Sequence, residues 1–495
     1  VGVVIGCDLG SQSVKAVVVD ADGRTLAGGS APLEIDYPQP GWAEQDAGEW
    51  LRAIGQVVRQ ARVEAGVAAD DVEALGFASQ VDGAVAVDEA NRPLAPAIIW
   101  IDRRATREAE ALSGRVDASR LFRLTGLNLD AYHAAPKIAW LRAALAAQAR
   151  PRPDAFLMPG SFVVASLTGE RVLDHSNASS TMLYDVARRA WCGELLEAVD
   201  LRAEQLGAIA EASVVAGRLT PTAAAALDLS TACRVVVGCG DEHGACLGAG
   251  VLGPGAVCDI TGTAEPVAAA THRPVFDDTR LVETHAHAAP RTWLIENPGF
   301  VSGGSTRWLA ELLGTTQEAL PGLAAEVQPG SDGVRFIPAL SGSVTPRWNG
   351  HARGVFSGLA LSHGRAHLAR AVFEGCTFAL RDLVDRLAEL GLAGDEVRVV
   401  GGGARSPFWL QLKADVTGRI VRVVEASEAT AVGAAMLAGV GVGHVGDLHE
   451  AAATMVSLSS AAFEPDLSVR DVYDDAYRGY RALFDAVEPT FGETA

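Results

Sequence analysis

Apolar residues along the chain fall into short Val- and Ile-dense runs and into longer stripes with helical spacing. The first runs, "VGVVIGCDLG" and "SQSVKAVVVDADGRTLAGGS", predict strands folded into a hairpin with Asp22-Gly23 as a turn. Near mid-chain, "GAVCDITGTAEPVAAA" (255–270) repeats the idea: an apolar strand, an Asp, a Gly flanked by hydroxyls, then a second apolar strand. Two such units about 250 residues apart predict two similar domains, each beginning with a hairpin. In "SHGRAHLARAVFEGCTFALRDLVDRLAELG" (362–391), Leu368, Val372, Leu380, Leu383, Val384 and Leu387 share a helix face, with Ser362 as N-cap and Gly391 as stop. Residues 395–424 then read strand, Gly-rich turn, helix and strand, with Ser406-Pro407 at the helix start. Strands alternating with helices imply α/β layers.

The connector composition of "GAGVLGPG" (248–255) puts a division there. The expected units are 1–250, 251–455 and a C-terminal helical tail, 456–495.

Composition narrows the function classes. The chain is 49% hydrophobic with a formal charge of -20, which weighs against nucleic-acid and anionic-membrane partners. Seven scattered cysteines without a Cys-x-x-Cys pair read as buried thiols of a reducing compartment. The opening residues lack a basic leader and soon meet Asp8, so no signal peptide is expected. "ATAVGAAMLAGVGVGHVG" (429–446) is free of Asp, Glu, Lys and Arg, but its glycines suit a close-packed helix better than a membrane span. A cytoplasmic protein is the expectation.

No Gly-x-x-x-x-Gly-Lys-Ser/Thr loop is present, and the Gly-x-Gly-x-x-Gly at 248–253 runs straight into Pro254 without the strand–turn–helix context. The hairpin turns are the other phosphate candidates. In "DLGSQSVK" (8–15), Gly10 permits a sharp turn, Ser11 and Ser13 offer hydroxyls, Lys15 a cation, and Asp8 could hold hydrated Mg²⁺. In "DITGTAE" (259–265), Thr261, Gly262 and Thr263 repeat the arrangement. Facing each other across a cleft, the turns could grip a polyphosphate; taken singly, each also reads as an ordinary surface turn. "VVVGCGDEHGACLGAG" (235–250) leaves a general base at Asp241 and a helix N-cap at Asp241 both open, and Cys239, His243, Cys246 and Cys258 could be drawn as zinc ligands although none forms a short Cys-x₂₋₄-Cys hook.

The chain resembles the FGGY carbohydrate kinases, above all in "GVFSGLALSHGRAHLARAVFE" (354–374) and further in "PGWAEQDAGEW" (40–50), "PAIIWIDRRA" (96–105), "GCGDEHGACLGAGV" (238–251) and "VVGGGARSPFWLQLKADVTG" (399–418). A second family signature is met only in part by "YHAAPKIAWLRAA" (132–144), where Ala134 and Ala143 depart, and Ser11 stands where Thr is usual.

The resemblance implies two ribonuclease-H-like (actin-like ATPase) domains flanking a catalytic cleft. It implies a Mg²⁺- and ATP-dependent kinase in which Asp241 is the base that deprotonates a sugar hydroxyl and Asp8 holds the metal. Gly10, Ser11, Gln12, Ser13, Lys15, Thr261, Gly262, Thr263, Gly303, Gly402, Gly403 and Ala404 would bind ATP. Gln80, Val81, Asp82, Arg104, Asp241 and Glu242 would bind the sugar. Val81-Asp82 matches neither the Met-His of xylulose kinases nor the Arg-Glu of glycerol kinases. Three carboxylates around the acceptor favour a neutral substrate over a sugar acid. D-xylulose comes first, then ribulose and erythritol- or glycerol-type polyols. An actin-like ATPase or a silent sugar sensor is the alternative class, and a homodimer the assembly considered.

Overall fold

The computed structural model describes residues 2–426 and 428–492. Its frame is two seven-stranded sheets with one shared strand order. In the first, Val3–Leu9 pairs antiparallel with Ser13–Asp20, which pairs antiparallel with Thr25–Pro32. On its other side, Val3–Leu9 runs parallel to Val72–Ser79, followed by parallel Arg234–Val236. The second sheet repeats this: Ala256–Thr261, Ala264–Thr271 and Trp293–Val301 are antiparallel neighbours, and Glu396–Gly401 and Ile420–Val424 extend the sheet in parallel. This is the two-domain α/β architecture that the resemblance implies.

Strand alternation decides what each sheet buries. Val3, Ile5, Cys7 and Leu9 enter a core with Trp50, Ile54 and Phe162. The opposite face, with Val4, Val17 and Ala74, packs on Ala431, Ala434 and Ala435 of helix Ala429–Val442. That helix follows the last parallel strand of the second sheet yet covers the first. Reciprocally, helix Asp241–Gly248 follows the first sheet's strands and buries Ala245 and Cys246 against Cys258, Ala268 and Leu294 of the second.

The exchanged helices also pack directly on each other. A Cβ on Gly6, Gly76, Gly248 or Gly433 would collide with backbone carbonyl oxygen across these contacts, so the close approach needs glycine. The apolar stretch at 429–446 thus buries itself in protein, and among the described residues no helix is long and apolar enough to cross a membrane.

Two expectations need correction. The long helix is Arg365–Glu389 with Gly364 as its N-cap, because Ser362 lies in the preceding turn; Gly391 does end it, at φ 74°. The segment after 455 is not simply helical: Leu458–Phe463 adds an edge strand beside Ile420–Val424, and helix Arg470–Val487 seats Tyr473, Tyr480 and Phe484 in the second domain's core. Residues 493–495 of the expected tail lie outside the described residues.

Candidate active site

A cavity of about 1780 Å³ opens between the lobes. Gly10, Ser11, Gln12 and Ser13 line one side, Gly262 and Thr263 another, and Arg103, Tyr132 and Trp348 its rim. Gly10 N–H donates to Ser13 O at 3.1 Å, closing the first turn, and Trp100 Nε1 donates to Ser11 Oγ at 3.3 Å. Both glycine turns therefore face one space.

Asp8, two residues before Gly10, lies near enough to Asp241 to feel its charge. Asp8 ends the first strand on the face turned to the exchanged helices. Burial pushes its carboxyl up to about 8; the Asp241 and Glu428 charges push the same way, and Lys15 opposes them. Asp241 is the first residue of its helix, with Gly240 rather than Asp241 as N-cap. Burial raises it to about 6, backbone amides at the helix start lower it, and the Asp82 charge raises it again. Lys15 Nζ lies 2.7 Å from Glu428 Oε2, a half-exposed pair.

Beside Asp241 is a buried polar pocket. Asp82 has a left-handed backbone, φ 58°, and brings Oδ1 to 3.1 Å from His133 Nδ1. Lys137 donates to the carbonyls of Asp82 (2.8 Å), Trp100 (3.1 Å) and Tyr132; burial lowers its pKa to about 7. Tyr132 Oη donates to Glu283 Oε2 at 2.8 Å, and Asn128 N–H to Glu283 Oε1 at 2.6 Å. Burial raises Glu242 well above its ordinary value, helped by the adjoining Glu296 and Asp241 carboxylates. Gln80 Nε2 donates to Gln45 Oε1 at 2.9 Å, and Val81 packs over Gly240.

Some expected residues sit elsewhere. Arg104 is not at the pocket: its side chain is 1% exposed, and it bonds Asp102 (Nη2–Oδ2 2.7 Å) and Glu44 (2.6 Å) between the rings of Trp42 and Trp140. Its neighbour Arg103 lines the cleft. Thr261 is buried with its hydroxyl on Asp259 (2.9 Å) and Lys413 (2.6 Å), so it supports the second turn from behind. Gly303 backs the same turn, donating to Gly262 O at 3.2 Å. Gly402, Gly403 and Ala404 form a 3-10 turn, with Gly403 pressed against Thr261. The four drawn zinc ligands do not converge: the cysteines are free buried thiols, and His243 instead groups with His285 and Glu296.

Sequence reasoning missed Tyr132, His133, Glu283, His285, Glu296 and Glu428. A usable signal was "ETHAH", where Glu283, His285 and His287 alternate within an apolar region, as polar residues on one strand face do. Glu296 and Glu428 carried no local signal, because only chain crossing brings them here.

Family models for the N-terminal and C-terminal domains of the FGGY carbohydrate kinases match residues 3–248 and 259–442. The chain is 34% identical over 422 residues to a xylulose kinase of Escherichia coli, covering 84% of this chain and 85% of that protein. It is 36% identical over 465 residues to a glycerol kinase of Gloeobacter violaceus, covering 91% and 90%. A crystal structure of xylulose kinase from Rhodospirillum rubrum superposes with a TM-score of 0.89 at 29% identity, covering 99% of both chains.

Proposed function

We propose, because this chain belongs to the FGGY family of carbohydrate kinases, that it transfers the γ-phosphate of MgATP to a hydroxyl of a neutral ketose or polyol, with Asp241 as general base. The observation that carries this reading is that both glycine turns line one cleft, with Asp8, two residues before Gly10, within reach of the Asp241 charge. Phosphoryl transfer asks the protein mainly to position reactants and offset charge. Amides at the Gly10–Ser13 and Gly262–Thr263 turns, with Lys15, would hold the phosphates. Gly402, Gly403 and Ala404 would support the adenosine, on a turn whose glycines let a flat group approach. Asp8 and Asp241 are hard oxygen donors whose mutual repulsion a cation would relieve, so the donor set fits magnesium, which would neutralise phosphate charge when bound.

Asp241 accepts the acceptor's proton as the new P–O bond forms; a carboxyl near pH 6 is a better base than an ordinary aspartate and is still ionised at pH 7. The pocket supports a neutral acceptor. Asp82 would repel a sugar acid, the raised carboxyls of Glu242 and Glu283 offer it no positive charge, and the lysine buried there, Lys137, is committed to backbone carbonyls. A ketopentose such as D-xylulose is the first candidate, on the xylulose kinase relatives; glycerol-type polyols follow on the glycerol kinase relatives.

The test is acceptor-dependent ADP release with MgATP across ketoses, polyols and sugar acids. Fastest turnover on a neutral acceptor is expected, and preference for gluconate overturns the substrate class. Asp241→Asn should lower turnover by about 10²–10⁴-fold with ATP affinity kept; near-normal turnover removes the base from that position.

A further inference from the structure

Three side chains that phosphoryl transfer does not use converge in the wall behind Asp241. His243 lies two residues along the same helix, His285 on strand Glu283–Ala286 and Glu296 on strand Trp293–Val301. They are 2%, 5% and 3% exposed. One ligand atom from each lies within 4.8 Å of the other two. His285 Nε2 is 3.2 Å from Glu296 Oε1, close to the edge of about 3.3 Å in a tetrahedron with metal–ligand bonds of roughly 2.0 Å.

A second observation concerns orientation. His287 Nε2 lies 3.1 Å from the Val251 carbonyl, which only an N–H can satisfy. The neutral His287 ring then carries its lone pair on Nδ1, 3.1 Å from His243 Nδ1, and accepts a hydrogen bond from the Nδ1–H of His243. His243 is thereby fixed in the tautomer with a lone pair on Nε2. A backbone carbonyl that orients a ligating imidazole through a hydrogen-bond relay is the usual outer support of a metal ligand. A third observation concerns His285: its Nδ1, on the far side of the ring from that edge, is buried without a hydrogen-bond partner among the described residues, so no neighbour fixes the ring in a tautomer that blocks Nε2.

We propose that His243, His285 and Glu296 form a binding site for a divalent transition metal, zinc first, with the fourth position left open. Two imidazoles and a carboxylate are the donor types of an open zinc site and suit magnesium poorly. The metal would tie the helix carrying Asp241 to two strands of the second sheet, so its occupancy would stiffen the joint between the lobes. The inference does not depend on the acceptor or on kinase activity.

The test uses the full chain, stripped with a chelator and titrated with Co²⁺ in excess Mg²⁺, followed by calorimetry and visible absorption. One Co²⁺ per chain, displaced by Zn²⁺ and raising the thermal midpoint, is expected. His285→Gln and Glu296→Gln should each abolish stoichiometric binding. His287→Gln, which removes only the relay, should weaken it about 10–100-fold. Failure of the unmodified protein to bind Co²⁺ or Zn²⁺ stoichiometrically overturns the site without recourse to any variant. Binding that persists unchanged in both ligand variants overturns it too, as does a His285→Gln effect confined to the KM of the sugar acceptor.

Discussion

The two glycine turns occupy equivalent places in equivalent sheets, yet their acids do opposite things. In the first, Asp8 stands two residues before Gly10; in the second, Asp259 stands three before Gly262. Side chains alternate along a strand, so one extra residue sends the second acid to the other face. Asp8 lies on the face turned to the exchanged helices, where the Asp241 charge reaches it and Lys15, paired with Glu428, offers a counter-charge. Asp259 looks into the core, where Lys413 Nζ meets it at 2.5 Å and also holds Glu265 Oε1 at 2.9 Å. Ser302 donates to the other Glu265 oxygen. The first turn's acid lacks a full counter-charge, so burial holds it largely protonated at pH 7; the second turn is a braced platform with its charge settled internally.

The sharpest way to break this comparison is Lys413→Met. It leaves two buried carboxylates uncompensated and should cost about 3–5 kcal/mol in denaturant unfolding. A loss of less than about 1 kcal/mol would mean that the buried triad braces nothing. Gly433→Ala comes next, since its methyl would overlap the Gly244 carbonyl between the exchanged helices. Overpacking there should cost about 1–3 kcal/mol, read in the same unfolding assay.

The pH dependence should separate activity from stability. Asp241 must be ionised to accept a proton, so kcat/KM should fall as pH drops through about 6. Stability should run the other way. Asp8, Asp241 and Glu296 are raised to about 8, 6 and 8, so the folded state binds more protons than the unfolded one at intermediate pH. Their stabilising contribution is full below pH 4 and is lost as pH rises to about 8. Asp8→Asn should therefore raise the thermal midpoint at pH 8 while impairing turnover, and a lowered midpoint would contradict the account.

The smallest effect is expected at Lys15→Met. Its half-exposed ion pair should be worth less than about 1 kcal/mol to folding, while the KM for ATP rises about tenfold.

Much of this was legible before any coordinates. Both hairpins, the Ser406-capped helix and the two glycine turns follow from local patterning and spacing, whereas Asp241 was singled out as a base only by the family resemblance. Arg104 misled because Trp-x-Asp-x-Arg reads alike whether the arginine faces a ligand or, as here, lies between two tryptophan rings on Asp102 and Glu44. Thr261 misled because a turn motif does not say which strand face its hydroxyl takes.

What the sequence determined by itself is therefore the set of elements, since period, caps and turn glycines act over a few residues. The tertiary structure alone decided the exchange of helices Asp241–Gly248 and Ala429–Val442 between sheets, because that depends on glycines at 6, 76, 248 and 433 meeting across the fold. It also decided the buried company of Asp241. Asp8, Asp82 and Glu296 come from three separate stretches, and charges interact by distance in space, not by separation along the chain.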